Sequence, residues 1–158
     1  MLSETEALNQ ERSKAFLYDN DQLKLLFSSS LDNSKSMTAF CKAGETLYFA
    51  TICSESTRCD VYAVDDRGGN FLHVVHLDER GVHSLAWTEA QKLLIGTVYP
   101  ANLYGYTPDT GNLRLISDRL TDENFVYNIS YLDGFCDLGI RSSAQLIKVD
   151  CETGKQCF

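Results

Sequence analysis

The chain has 158 residues, 44% apolar and 23% charged, which are ordinary values for a single globular domain with a real core. They exclude a disordered chain and a coiled coil, and no apolar run approaches the ~18 residues of a membrane-spanning helix. With no such run, no membrane is expected as partner; fourteen basic against twenty-two acidic residues leave a net charge of −8, which repels phosphate backbones, so no nucleic acid is expected either.

The chain opens on Met1-Leu2-Ser3-Glu4-Thr5-Glu6, without the basic and apolar stretches of a secretory signal. Ser3 and Glu6 have capping-box spacing, and Ala7 and Leu8 are good helix formers, so residues 1–14 are expected to form a short helix or arm. Short strands then follow one another. A first pair covers Ala15–Asp21 and Gln22–Ser28. Two four-strand units and a third, incomplete one come next, with strands that we label A to D. Strand A covers Ser36–Cys41, Val82–Trp87 and Phe125–Tyr131. Strand B covers Leu47–Ile52, Leu93–Val98 and Cys136–Ile140, and strand D covers Asn70–Leu77 and Asn112–Ser117 and begins again at Gln156.

Strand C carries the clearest repeat. Val61-Tyr62-Ala63-Val64-Asp65, Leu103-Tyr104-Gly105-Tyr106-Thr107 and Leu146-Ile147-Lys148-Val149-Asp150 each run into a glycine-containing turn, 42 and 43 residues apart. Strand B repeats independently. Leu47-Tyr48-Phe49-Ala50-Thr51-Ile52 aligns with Leu93-Leu94-Ile95-Gly96-Thr97-Val98, and the small residues Ala50, Gly96 and Gly139 stand 46 and 43 apart. A small residue in mid-strand admits a neighbouring sheet at close range, as stacked sheets require.

Four antiparallel strands in 42–46 residues resemble the blade of a β-propeller. The stretch Leu103–Gly111 is similar to the apolar-Tyr-x-x-Asp-x-x-Thr-Gly hairpin of many seven-bladed propellers. The Trp-Asp pair of WD repeats is missing, since Thr88 follows Trp87, and the kelch double glycine occurs once, at Gly68-Gly69. The expected fold is therefore all-β: a partial or two-chain β-propeller with a partial blade at 15–30, blades at 36–77 and 82–118, and an incomplete blade at 125–158. Such an arc leaves sheet edges and faces open, which predicts completion by a second copy, another subunit or the remainder of a longer chain. Trp87 is expected to pack between blades.

The resemblance implies that D–A and B–C loops gather on one face, where ligands commonly bind. That face is expected to carry Arg58, Glu79, Arg80, His83, Tyr99, Asn102, Tyr127 and Arg141 as ligand- or partner-binding residues. Asp78, Glu55, Asp122, Glu123 and Asn124 lie on the same loops. His73 and His76 stand three apart on a strand, and odd spacing puts them on opposite faces, so they are not expected to share a metal. Lactonase-like propellers hold a divalent ion with acidic residues and Asn on inner strands. Here only Asn128 and His83 fall there, without a matching acid. Asp65-Asp66 and Asp78-Glu79 read as turn residues. Nucleophile, zinc-protease and phosphate-loop motifs are missing, so no catalytic residue, metal or cofactor is assigned.

Six cysteines form no Cys-x-x-Cys motif. Cys53 with Cys59 and Cys151 with Cys157 share one spacing, and disulfides within these pairs are expected only if the chain is extracellular after loss of a signal. Otherwise the thiols are reduced and the chain cytoplasmic. One glycosylation sequon, Asn128-Ile129-Ser130, is present. The expected function is a non-enzymatic protein-interaction module, built from propeller blades and completed by a second chain. The alternatives are a small-ligand or carbohydrate-binding propeller and a lactonase-like hydrolytic one.

Overall fold

The computed structural model describes residues 13–19, 22–29, 35–53, 58–65, 72–120, 125–141 and 144–157. Residues 1–12, most of the expected arm, lie outside them, and Ser13 and Lys14 belong to the first strand. Among the described residues every regular element is a strand, and no helix is long and apolar enough to cross a membrane.

The strands β1 (Ser13–Asp19) and β2 (Gln22–Ser29) form an antiparallel pair. The first full blade contains β3 (Lys35–Ala43), β4 (Thr46–Cys53), β5 (Cys59–Asp65) and β6 (Leu72–Leu77). The second contains β7 (Gly81–Trp87), β8 (Leu93–Val98), β9 (Leu103–Thr107) and β10 (Asn112–Ser117). The third contains β11 (Val126–Leu132), β12 (Phe135–Ile140), β13 (Gln145–Asp150) and the short β14 (Gln156–Cys157). Within each blade every strand pairs antiparallel with the one before it. Each expected strand is present and in register with the four-strand unit. Turn chemistry sets the corners: Gly44 and Gly134 adopt left-handed φ of 60° and 86°. At 150–154 the N–H groups of Thr153 and Glu152 donate to Asp150 Oδ1 and hold its carboxyl below the usual range.

The core lies between sheets. One cluster joins the first and second blades through Ala39, Tyr48, Ala50, Val61, Val82, Leu93 and Ile95. The other joins the second and third through Leu94, Leu103, Val126, Cys136, Leu138 and Val149. Every residue of β8 is buried, because its alternate side chains serve both interfaces. Trp87 stacks on Tyr48 of the neighbouring blade, with ring centroids 5.7 Å apart, as expected for a between-blade packer. Gly96 explains the small-residue repeat: a β-carbon there would collide with Ser84 Oγ on the paired strand and stand 2.6 Å from Val126 Cγ1 on the next blade. At Gly139 the obstacle is Asn128 on the partner strand of the same blade.

Gly96→Ala should therefore destabilise by about 1–3 kcal/mol through overpacking, lowering the melting temperature by several degrees. Gly44→Asn, at an open left-handed turn, should change it little. Thermal unfolding followed by circular dichroism checks both.

Candidate functional site

Two backbone bridges build the loop face. The end of one B strand meets the start of the next A strand, at Ile52 with Gly81 and at Val98 with Phe125. Each bridge brings the end of a B strand, where the B–C loop departs, against the start of the next A strand, where the D–A loop arrives. A repeated threonine then pins the B–C loop. Thr51 Oγ1 accepts from Asp60 N–H and donates to its carbonyl, at 3.1 and 3.2 Å. Thr97 Oγ1 accepts from Asn102 N–H at 3.0 Å and donates to Pro100 O at 2.8 Å. Both threonines are fully buried.

A β-bulge recurs in each A strand. The register skips Thr38, His83 and Tyr127 in the three blades. A bulge re-aims the extra side chain out of the strand's alternation. Thr38 Oγ1 consequently donates to Val82 O of the next blade. His83 and Tyr127 are turned onto each other, with rings stacked at 4.9 Å and 29°. Phe125 packs edge-on against both His83, at 5.9 Å, and Tyr99, at 4.8 Å. The Arg80 guanidinium lies over the Tyr99 ring at 5.3 Å, and that of Arg141 over Phe125 at 5.6 Å.

The structure thus gathers Arg80, His83, Tyr99, Tyr127 and Arg141 into one cation–aromatic cluster. Phe125, read from the sequence only as a strand residue, sits at its centre. Tyr99 and Tyr127 remain 44% and 54% exposed. His83 Nδ1 is buried and, among the described residues, has no hydrogen-bond partner. A groove of about 460 Å³ adjoins the cluster, lined by Tyr127, Asn128, Gly139, Arg141 and Leu146.

Glu79 and Asn102 stand differently. Both are buried, and Glu79 Oε1 accepts from Asn102 Nδ2 at 2.8 Å and from the Tyr104 hydroxyl at 2.6 Å. Asn102 Oδ1 accepts from Arg119 N–H at 2.8 Å. They tie the two loops together beneath the cluster instead of meeting solvent. Arg58 is exposed just ahead of β5. Residues 121–124, with Asp122, Glu123 and Asn124, and residues 54–57, with Glu55, lie outside the described residues.

The expectation that His73 and His76 occupy opposite faces is overturned. The register between β5 and β6 pairs Asp60 with His76, Val61 with Val75 and Tyr62 with His73, so Val74 is an extra residue. This bulge inverts the alternation, and both imidazoles turn toward the Asp60 carboxylate. His73 Nε2 and His76 Nδ1 lie 2.8 and 2.9 Å from Asp60 Oδ1.

Cys41, Cys59, Cys136, Cys151 and Cys157 are free thiols in this structure. Cys157 stands opposite Lys148 in the ladder, and its thiol donates to Lys155 O at 3.7 Å. Cys136 and Cys151 lie close enough to shift each other's ionisation. Their mutual interaction, together with burial, pushes Cys136 up; the same interaction, against the effect of burial, holds Cys151 below the usual thiol range. Cys59 is buried, with its thiol directed to Leu77 O, and the Cys53 side chain lies outside the described residues.

No family model matches the chain, and no curated protein matches it by sequence. Solved structures do. A chain of the nidogen/laminin complex superposes with a TM-score of 0.73 at 12% identity, covering 94% of this chain and 55% of that one. The fold is that of a β-propeller. A Bacteroides caccae protein of unknown function matches with a TM-score of 0.62 at 11% identity, covering 86% of this chain and 50% of that one. This propeller chain spans about half the length of either.

Burial, followed by the neighbouring Glu79 carboxylate, holds the Tyr104 phenol neutral above its ordinary range. A phenol with a raised folded-state value contributes stability that is lost as pH rises beyond the unfolded value near ~10. Tyr104→Phe should cost about 1.5–3 kcal/mol at neutral pH, since it removes a hydrogen bond to a carboxylate. It should also flatten the fall in stability between about pH 9 and 11. Urea unfolding across that range reads both effects.

Proposed function

We propose that this chain is a non-enzymatic protein-interaction module whose loop face takes an acidic segment of a partner protein. The observation that carries this reading is the paired arrangement of Arg80 over Tyr99 and Arg141 over Phe125 on one face. An arginine held over an aromatic ring keeps a planar fork of donors suited to a carboxylate. Exposed Tyr99 and Tyr127 add rigid contact area at low entropic cost, as anchor residues of interfaces do. Glu79, the carboxylate nearest Arg80 in sequence, is engaged by Asn102 and Tyr104 and so does not compete for the arginines. The likeness to a chain from a protein complex agrees with a protein partner.

The same reading includes a further sheet covering the third blade, from a second copy of the chain. Pairing of β12 with β13 places Leu146 opposite Gly139, as Leu103 is opposite Gly96 and Val61 opposite Ala50. Val61 and Leu103 are fully buried by the following blade, whereas Leu146 is 75% exposed. Its face also carries Asp137 and Lys148, paired at 3.4 Å, so a covering sheet meets apolar and charged groups together.

A fluorescent peptide alternating Glu and Tyr should bind, with anisotropy rising on titration. Arg80→Ala with Arg141→Ala should weaken it at least tenfold, chiefly through faster dissociation. Equal binding of a Lys–Tyr peptide, or indifference to the double substitution, would overturn the acidic-segment reading. Light scattering tests the second copy: twice the 17.7 kDa chain mass is expected, and a monomer at all concentrations would exclude it.

A further inference from the structure

The Asp60, His73 and His76 cluster lies on the two outer strands of the first full blade. We propose that these three residues bind a divalent transition-metal ion, with zinc favoured by their nitrogen and oxygen donors. Asp60 Oδ1, His73 Nε2 and His76 Nδ1 all lie within 4.8 Å of one another. Ligands at ordinary zinc distances stand about 3.4 Å apart in a tetrahedral site. The present separations of 2.8 and 2.9 Å need only a few tenths of an ångström of opening. The imidazoles can supply that opening by rotating, because His73 and His76 are 51% and 41% exposed while Asp60 is 8% exposed.

Two further contacts preorganise the donors. Thr51 Oγ1 bonds both backbone groups of Asp60 and fixes the strand that carries the carboxylate. The Tyr62 ring packs edge-on against His73 at 5.5 Å. Asp78 Oδ1 stands 3.6 Å from His76 Nε2, the nitrogen that faces away from the site. Asp78 is exposed and beyond hydrogen-bond distance in this structure; on approach its carboxylate would orient the metal-binding imidazole and raise its basicity. Two histidines and an aspartate leave a coordination position on the solvent side, so the ion can accept water or a partner's side chain there. The bulge at Val74 is the device that makes the set: without it one histidine would face the other side of the sheet.

The test is titration of the reduced chain with Co2+ and Zn2+. Cobalt is expected to give visible d–d absorption without a thiolate charge-transfer band, and zinc is expected to displace it at one equivalent. His73→Gln with His76→Gln should abolish this binding, with an unchanged circular-dichroism spectrum showing that the variant folds. Asp78→Asn should weaken binding about 10–100-fold through loss of the outer carboxylate. Saturating Zn2+ should raise the melting temperature of the natural chain and leave that of the double variant unmoved. Three results would each overturn the site: no cobalt spectrum, a thiolate band in its place, or equal affinity in the double variant.

Discussion

The close approach of one sheet to the next, at a point where only small residues fit, underlies the rest of the structure. Gly96 lies against Val126, and Ser84 Oγ donates to Val126 O at 3.0 Å across the same gap. Bringing the A and B strands of neighbouring blades this near buries Leu94, Leu103 and Leu138 on the two inner faces. It also allows the bridge of Val98 with Phe125 that joins the loops. Ala50 plays the corresponding part between the first and second blades, with Gly81 set directly against Ile52. Apolar burial supplies most of the stabilisation, and the small residues decide that it occurs face to face.

The loop face follows from that packing. Because the bridges deliver D–A loops beside B–C loops, Arg80 reaches Tyr99 and Phe125 reaches Arg141. The A-strand bulges then turn His83 and Tyr127 toward each other across adjacent blades. A polar layer beneath, with Thr97, Asn102, Glu79 and Tyr104, holds the loops in place. The described part of the face thus rests on a hydrogen-bonded polar layer, which restricts the side chains above it.

The two sites separate by position within one repeated plan. Asp60 and Asn102 hold the same place, each bonded through its backbone to the last threonine of a B strand. In the second blade that place carries an amide that ties loops together. In the first it carries a carboxylate that meets two histidines from the neighbouring strand. One backbone device thus supports a loop-tying amide in the second blade and, in the first, the carboxylate of the proposed metal site.

The sequence by itself determined the period, the strands and their grouping. Alternation, turn glycines and mid-strand small residues are local signals, and stacked sheets impose them at every repeat. It also placed Arg80, His83, Tyr99, Tyr127 and Arg141 on loops that such a fold gathers on one face. The tertiary structure alone decided which of these side chains touch. Burial of Glu79 and Asn102 depends on their meeting across loops, and Phe125 became central only through its bridge to Val98. The side of the sheet that His73 and His76 share was likewise invisible, because one extra residue at Val74 inverts the alternation on which a strand reading rests. A bulge changes neither composition nor period, and its position is set by how two strands settle into register.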